Sequence, residues 1–126
     1  MIKILDGASD STVAIEIYGG YEVKDEKFIE KMFDEKISAG HTRVNFLAKV
    51  DKLDFSSSSW KAMWDDGMYG IKHIKNCGHI AIVGHSKLEE ILVKMDNAFF
   101  SSKKADRMEK YFDVADIDNA MGWANE

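Results

Sequence analysis

The amino-acid sequence predicts an α/β fold, in which a mixed, mostly parallel sheet is flanked by helices. Short apolar runs that are typical of strands alternate with longer segments of helical periodicity. The resulting order is ββαβαβαβα, and strands joined through helices favour parallel pairing by right-handed crossovers. The chain has 126 residues, of which 45% are hydrophobic, so it can bury one core. We therefore expect a single domain over residues 1–126.

The first half of the chain predicts two strands, a helix and a third strand. Ile2–Leu5 and the alternating segment Thr12–Tyr18 are separated by turn-forming Gly and Asp residues, which favours an antiparallel hairpin. A helix of about four turns begins at Asp25, its N-cap, and ends before Gly40. Arg43–Val50 then alternates as a strand. In each alternating segment, every second residue is apolar and those residues share one face.

The second half predicts two further strands and three helices. After a helix that follows a run of serines, Ile80–Val83 is an unbroken apolar run, as expected for a strand covered on both faces. A capping box at residues 86–89 begins a third helix. A short strand near Arg107–Phe112 precedes a last helix that begins near Asp113 or Asp116. The inward-facing residues of that helix are Ile117, Ala120, Met121 and Ala124.

The second helix carries the strongest pattern in the chain. Its apolar residues cover an arc of about 160° and include two tryptophans and two glycines. Each glycine costs about 1 kcal/mol relative to Ala inside a helix, and permits either close packing or open space beside the helix. Around such a space, Trp and Met form an adaptable pocket, which two phenylalanines of the third helix could close; a core face is the alternative. The candidate ligand-binding residues are Trp60, Met63, Trp64, Gly67, Met68, Ile71, Phe99 and Phe100.

Four consecutive serines precede the second helix. One of them suffices as the N-cap, which leaves the others unexplained. The start of a helix also stabilises a phosphate group, through the helix dipole and the free amides. The candidate phosphorylation sites are Ser56, Ser57, Ser58 and Ser59.

Charge and composition restrict the partners and the location. The formal net charge of −5 argues against a nucleic acid, whose phosphates require a basic surface. No apolar stretch approaches the roughly 20 residues that span a bilayer, so we expect no stable membrane insertion. Cys77 is the only cysteine and cannot form an internal disulfide. A reducing, cytoplasmic location is therefore expected.

No catalytic or metal-binding constellation can be assembled from the sequence. Gly84-His85-Ser86 lies at a strand-to-helix turn like the nucleophile of a hydrolase, but the second glycine of that motif is absent and no histidine follows. The four histidines and Cys77 lack the paired spacing of zinc ligands. We expect no catalytic residue, no metal and no cofactor.

Four sequence blocks, in this order and spacing, resemble the bacterial SpoIIAA-like family of the STAS/CRAL-TRIO-like structural group. They are WKAMWDD at 60–66, IAIVG at 80–84, YFD at 111–113 and NAMGW at 119–123. The resemblance spans nearly the whole chain and implies a mixed sheet flanked by helices. CRAL-TRIO relatives hold nonpolar ligands between sheet and helices. STAS relatives include anti-sigma factor antagonists that are switched by phosphorylation of a serine in an Asp-Ser-Ser-Gly motif, where this chain reads DFSSSS at 54–59.

These observations lead to two hypotheses. The first is a non-enzymatic binding domain that takes a small nonpolar or lipid-like ligand beside the second helix. The alternative is a STAS-type regulatory module, similar to an anti-sigma factor antagonist, that docks a protein partner and is switched by serine phosphorylation. An exposed apolar strip could equally join two copies as a homodimer. An enzyme is the least favoured class.

Overall fold

The structure, a computed structural model, describes residues 1–53, 76–85 and 108–126. Within them, the strands are β1 (Ile2–Ile4), β2 (Thr12–Ile17), β3 (Val44–Lys49), β4 (Cys77–Gly84) and β5 (Met108–Asp113). The helices are α1 (Val23–Ser38) and α2 (Ile117–Ala124), and a 3-10 turn at Val114–Asp116 leads into α2. The predicted α/β class is confirmed, and these elements follow the predicted order. The second and third predicted helices fall outside the described residues.

The five strands form one sheet in the order β1-β2-β3-β4-β5. β1 is antiparallel to β2, as the predicted hairpin requires, and every later pair is parallel. The register places Ala14 beside Leu47, and Leu47 beside Ala81. Since the side-chain period of a strand is two residues, these partners also share one face of the sheet.

The first face of the sheet is built from large apolar side chains and is covered by α1. Ile29 and Phe33 of α1 are buried against it, and the rings of Phe33 and Phe46 lie 5.7 Å apart. Burying a side chain of this size contributes about 1.5–3 kcal/mol to stability. The strand residues of the first face are Val13, Ile15 and Ile17 in β2, Val44, Phe46 and Ala48 in β3, and Cys77, Ile80 and Ile82 in β4.

The second face is built mainly from small side chains and is covered by α2. The buried Ala120 and Ala124 of α2 pack on a cluster that includes Ala14 and Ala81. Alanine against alanine lets the helix backbone approach the sheet closely. Leu47 and Val83 complete the buried strand residues of this face, and Ile117 and Met121 are half-buried at its margin. The predicted inward side of the last helix is confirmed.

The start of α1 differs from the prediction by one turn. Glu22, with an extended backbone, is the N-cap, and Asp25 lies three positions inside the helix. Asp25 Oδ2 accepts a hydrogen bond from the Glu22 amide at 2.9 Å, so the aspartate forms the returning half of a capping box. An Asp is stabilising in either position, which is why composition alone placed the N-cap wrongly. The end of α1 agrees, because Gly40 adopts φ +103° just beyond it.

The start of α2 uses both predicted aspartates. Asp113 accepts a hydrogen bond from the Ala115 amide at 3.0 Å and thereby caps the 3-10 turn, and Asp116 is the N-cap residue of α2. The preceding strand ends at Asp113, one residue later than predicted. Only Asp113 caps through its side chain, since Asp116 makes no side-chain cap hydrogen bond. The turn leads the chain from the edge strand β5 back across the second face.

Candidate functional site

An apolar floor lies on the first face at the centre of β3 and β4. We define this floor as Phe46, Ala48, Ile80 and Ile82, all of which are 0% exposed. Their register pairs Phe46 with Ile80 and Ala48 with Ile82, so the four side chains form a continuous rectangle across two strands. Tyr111 of β5 packs against the same cluster. The floor is therefore a fully buried apolar surface that carries no charged group.

The predicted site residues belong to the two chain segments that join these strands. Residues 54–75 connect β3 to β4, and residues 86–107 connect β4 to β5. Both segments lie outside the described residues, so their side chains are not placed here. This applies to Ser56, Ser57, Ser58, Ser59, Trp60, Met63, Trp64, Gly67, Met68, Ile71, Phe99 and Phe100.

The points from which both segments depart are fixed to the sheet. After β3, Leu53 forms a parallel bridge with Gly19, and the Gly19 amide donates to the Lys52 carbonyl at 3.1 Å. Gly19 has φ +63°, a conformation that glycine adopts without strain. After β4, the Tyr111 hydroxyl donates to the carbonyl of His85 at 2.6 Å. Both departure points lie at the carboxyl ends of the parallel strands, the edge where open α/β sheets bind their ligands.

A cluster of charged groups occupies the same edge on the second face. We call it the Glu16–Lys49–Asp51 cluster. Glu16 and Lys49 are partners across β2 and β3, and Lys49 Nζ lies 2.7 Å from Glu16 Oε2 and 2.5 Å from Asp51 Oδ1. The three side chains are only 14% (Lys49), 8% (Glu16) and 11% (Asp51) exposed. Lys52, whose side chain is 67% exposed, approaches Glu16 at 3.9 Å.

The electrostatics of this cluster hold Lys49 in its charged form. Burial lowers the pKa of Lys49, but hydrogen bonds to Asp51 and Glu16 outweigh that effect and raise the pKa above its ordinary 10.5. An ammonium that donates to two carboxylates is a poor nucleophile and a poor base at neutral pH. The cluster thus fastens the ends of β2 and β3 together. Sequence reasoning missed it, although opposite charges at positions that alternate with the apolar residues of the two strands were the available signal.

A second group that sequence reasoning missed anchors the end of α2. The rings of His79 and Trp123 stack with centroids 4.2 Å apart and planes 6° apart. His79 Nδ1 lies 2.8 Å from the Trp123 carbonyl oxygen, and because a carbonyl only accepts, Nδ1 carries the proton. Lys110 covers the neighbouring Phe112 ring, with Nζ 5.0 Å from its centroid. His79 is therefore a structural residue of β4.

The architecture resembles that of a solved protein from Shewanella loihica PV-4, described as an uncharacterised protein of the DUF3478 family with a SpoIIAA-like fold. The two structures agree with a TM-score of 0.58 over 98% of this chain and 92% of the other, at 24% sequence identity. No curated protein sequence matches the chain significantly. None of the helices in the described ranges is long and apolar enough to cross a membrane.

Sequence comparison identifies the family directly. A family model described as SpoIIAA-like matches residues 12–125. The match extends from the first residue of β2 to just beyond α2, so it includes the apolar floor, the charged cluster and all the candidate site residues. The resemblance that four short blocks suggested is confirmed, and the chain belongs to the SpoIIAA-like family.

Proposed function

We propose that this protein is a non-enzymatic binding module that holds a small nonpolar or lipid-like ligand against the first face of its sheet. A SpoIIAA-like fold indicates a regulatory or binding module, and the proposal specifies what is bound. The observation that carries it is the apolar floor, together with the position of the two chain segments that begin and end at its strands.

The chemistry of the floor selects a nonpolar ligand. Its four side chains offer hydrocarbon and one aromatic ring, and no hydrogen-bonding group. A polar ligand would lose its hydration there without gaining partners, at a cost of about 1–3 kcal/mol for each unpaired group. A nonpolar ligand gains about 25 cal/mol for each Å² of apolar surface removed from water.

The strand order supports placing the predicted pocket above this floor. Parallel neighbours are joined by right-handed crossovers in about 98% of cases. The described crossover, α1 between β2 and β3, lies on the first face, and the order continues in the same direction to β5. The same rule therefore leads us to expect the next two crossovers on that face. The predicted ligand-binding residues Trp60, Trp64 and Phe99 belong to these two chain segments.

The state of the nearest charged groups supports a role without catalysis. Lys49 holds its proton and is hydrogen-bonded to two carboxylates, which leaves it no lone pair for chemistry. The cluster also points to the second face, away from the floor. A binding module does not need the ammonium of Lys49 or its carboxylate partners to react.

The test compares two glycine-to-leucine variants. Gly67→Leu would fill the space that the second helix leaves in the proposed pocket. Gly122→Leu is the matched control, because a Cβ at Gly122 in α2 meets nothing within 4 Å and α2 lies on the other face. The probe is cis-parinaric acid, a fluorescent fatty acid, and binding is measured by its emission. We expect Gly67→Leu to lose binding and Gly122→Leu to keep it, with both far-UV spectra those of the folded protein.

Two outcomes would overturn the proposal. One is that cis-parinaric acid binds the Gly67→Leu variant as tightly as the unmodified chain. The other is that native mass spectrometry, on protein purified from its source without detergent, shows no adduct that denaturation removes and the probe also fails to bind. The same spectrum reports whether the chain is a monomer or the homodimer considered above.

A second candidate, the phosphorylation-switched regulatory module, is favoured by a separate observation. The bridge between Gly19 and Leu53 fixes the chain at the sheet edge three residues before Ser56, next to the exposed ammonium of Lys52. A phosphate there would add about −1.5 to −2 charge and would compete with Glu16 for Lys52. It would change the surface offered to a protein partner.

Peptide mapping of the protein from its source tests this candidate. A phosphate on the peptide 52–61, lost when all four serines are replaced by alanine, would support it. An unmodified peptide, recovered under conditions where the source phosphorylates other proteins, would count against it. The two candidates use different residues, so a negative result for one leaves the other standing.

A further inference from the structure

A groove lies on the second face of the sheet, between α2 and the end of β1. Its volume is about 390 Å³, within the range of small-molecule sites. Leu5 from the β1 side and Ile117 and Met121 from α2 supply its apolar walls. The groove is separate from the first face and its apolar floor, so it does not depend on the function proposed above.

Asn125 fixes the width of the groove. Its side-chain oxygen accepts a hydrogen bond from the Ser9 amide at 2.9 Å, and its side-chain nitrogen donates to the Gly7 carbonyl at 3.0 Å. These bonds join the β1–β2 turn to the end of α2. Gly7 adopts φ +95°, which keeps the turn tight beside Met121. These hydrogen bonds hold the turn against the end of α2 and so fix two walls of the groove relative to each other.

Two carboxylates, Asp6 and Asp118, line the groove beside its apolar walls. Both side chains are exposed, and neither forms an ion pair or a hydrogen bond with a residue in the described parts of the chain. By contrast, Glu16, Asp25 and Asp51 each have a cationic partner. Two unpaired negative charges at one apolar recess, in a chain of net charge −5, complement a cation that carries a hydrocarbon tail.

We propose that this groove is a binding site for small organic cations, namely primary alkylammonium compounds. The alkyl tail lies along Leu5, Ile117 and Met121, and the ammonium group lies between the carboxylates of Asp6 and Asp118. Each methylene that leaves water contributes about a fourfold gain in affinity. Each exposed carboxylate contributes about two- to fivefold. For a ligand of about seven non-hydrogen atoms, these terms correspond to a dissociation constant on the order of 1 mM.

Titration with three probes tests the proposal. Hexylammonium carries both the tail and the charge, methylammonium carries the charge without a long tail, and hexan-1-ol carries the tail without the charge. Binding is followed by the NMR cross-peaks of the Gly7 and Gly122 amides in the full chain. We expect saturable shifts with hexylammonium at millimolar concentration, and at least about fivefold weaker binding of the other two probes.

Variants assign the binding to this groove. Asp6→Asn and Asp118→Asn should each weaken hexylammonium about two- to fivefold, whereas Asp10→Asn, an exposed acid on the same turn outside the groove, should leave the dissociation constant unchanged. Gly122→Leu places a side chain in the open groove and should abolish the shifts, whereas Gly20→Leu, at another open glycine, should not. Far-UV spectra establish that each variant is folded.

Three results would overturn the proposal. The first is the absence of saturable shifts at Gly7 and Gly122 with hexylammonium. The second is equal affinity for hexan-1-ol, which would show that the charge plays no part. The third is that hexylammonium binds the Asp6→Asn/Asp118→Asn double variant as tightly as the unmodified chain, which would place the ammonium elsewhere.

Discussion

Each face of the sheet is covered by a helix, but the two faces differ in the size of the side chains that pack between sheet and helix. The first face presents Phe46, Ile80 and Ile82 to a helix that contributes Phe33 and Ile29. The second face presents Ala14 and Ala81, flanked by Leu47 and Val83, to a helix that contributes two further alanines. Large side chains keep the helix and the sheet apart, whereas alanines let the helix backbone approach the strands. Space on the second face therefore lies beside α2, in the groove.

The charges are divided in the same way. Glu16 and Lys49 alternate along their strands with residues of the first face, so their side chains project to the second face. There they form an ion pair at the sheet edge. The first face has a uniformly apolar centre at β3 and β4. An apolar face and a face that carries ion pairs thus coexist on strands six to eight residues long.

The largest expected effect comes from removing a ring from the first face. Phe46→Ala should lower the free energy of unfolding by about 3–5 kcal/mol, because the ring is fully buried and packs on Phe33. Leu47→Ala, its fully buried neighbour on the second face, lies in the range of about 2–5 kcal/mol and should cost less than Phe46→Ala, because it removes fewer buried atoms. Urea denaturation measures both values. An equal or larger loss at Leu47 would contradict the difference drawn here between the faces.

Breaking the Glu16–Lys49–Asp51 cluster should cause the second largest loss in the free energy of unfolding. Lys49→Met leaves two buried carboxylates without their ammonium and should cost about 3 kcal/mol, the lower end for a buried pair that loses one partner. Lys52→Met, at an exposed side chain, should cost less than about 0.5 kcal/mol. Urea denaturation at neutral pH distinguishes the two.

The pH dependence of the Lys49 effect follows from its pKa. Burial lowers this pKa, but Asp51 and Glu16 raise it above 10.5 in the folded chain. The stabilisation is therefore fully present below the unfolded pKa and is lost as the pH rises through the folded value. We expect the difference between Lys49→Met and the unmodified chain to be constant below about pH 9 and to shrink at higher pH. A difference that grows with alkaline pH would contradict this assignment.

Overfilling the alanine interface should have the third largest effect. Ala120→Leu inserts a larger side chain at a fully buried position between α2 and the sheet and should cost about 1–3 kcal/mol. Ala115→Leu, at an exposed alanine just before α2, should stay within about 0.5 kcal/mol of the unmodified chain. Thermal denaturation compares the two. If Ala120→Leu were neutral, α2 would not be in close contact with the strands.

The smallest expected effect concerns the clamp that sets the groove width. Asn125→Ala removes the hydrogen bonds to Ser9 and Gly7 and should cost about 1 kcal/mol. Amide hydrogen exchange at Ser9 should become faster, because its amide loses its acceptor. Asn119→Ala, at an exposed residue of the same helix, serves as the control. Unchanged exchange at Ser9 would show that the turn is held by other contacts.

The fold was predictable because its signals are local. Alternation placed Val13, Ile15 and Ile17 on one face, and the unbroken run from Ile80 identified a strand covered on both sides. The preference of Asp for helix starts located the beginning of the 3-10 turn, at Asp113, and that of α2, at Asp116. It failed at Asp25, because an aspartate is favourable both as an N-cap and three positions later.

The surroundings of the site were less predictable because they depend on pairing between distant residues. The contact of Lys49 with Glu16 spans 33 positions and requires the strand register. The stack of His79 on Trp123 requires α2 to return across the second face. No local sequence pattern shows that these distant residues come into contact. The candidate ligand-binding and phosphorylation residues lie in segments 54–75 and 86–107, so they stay predictions.

The position of α2 in the chain has a consequence for biosynthesis. Every strand in the described parts of the chain precedes α2, so the strands are synthesised before the helix that covers their second face. Until α2 packs on the sheet, the second face is open to contact with other nascent chains. Ala14 and Ala81 expose far less apolar surface than the phenylalanine and isoleucines opposite. We expect the alanine face to lower the tendency of the unfinished chain to aggregate, since the face that is covered last is the one that attracts neighbours least.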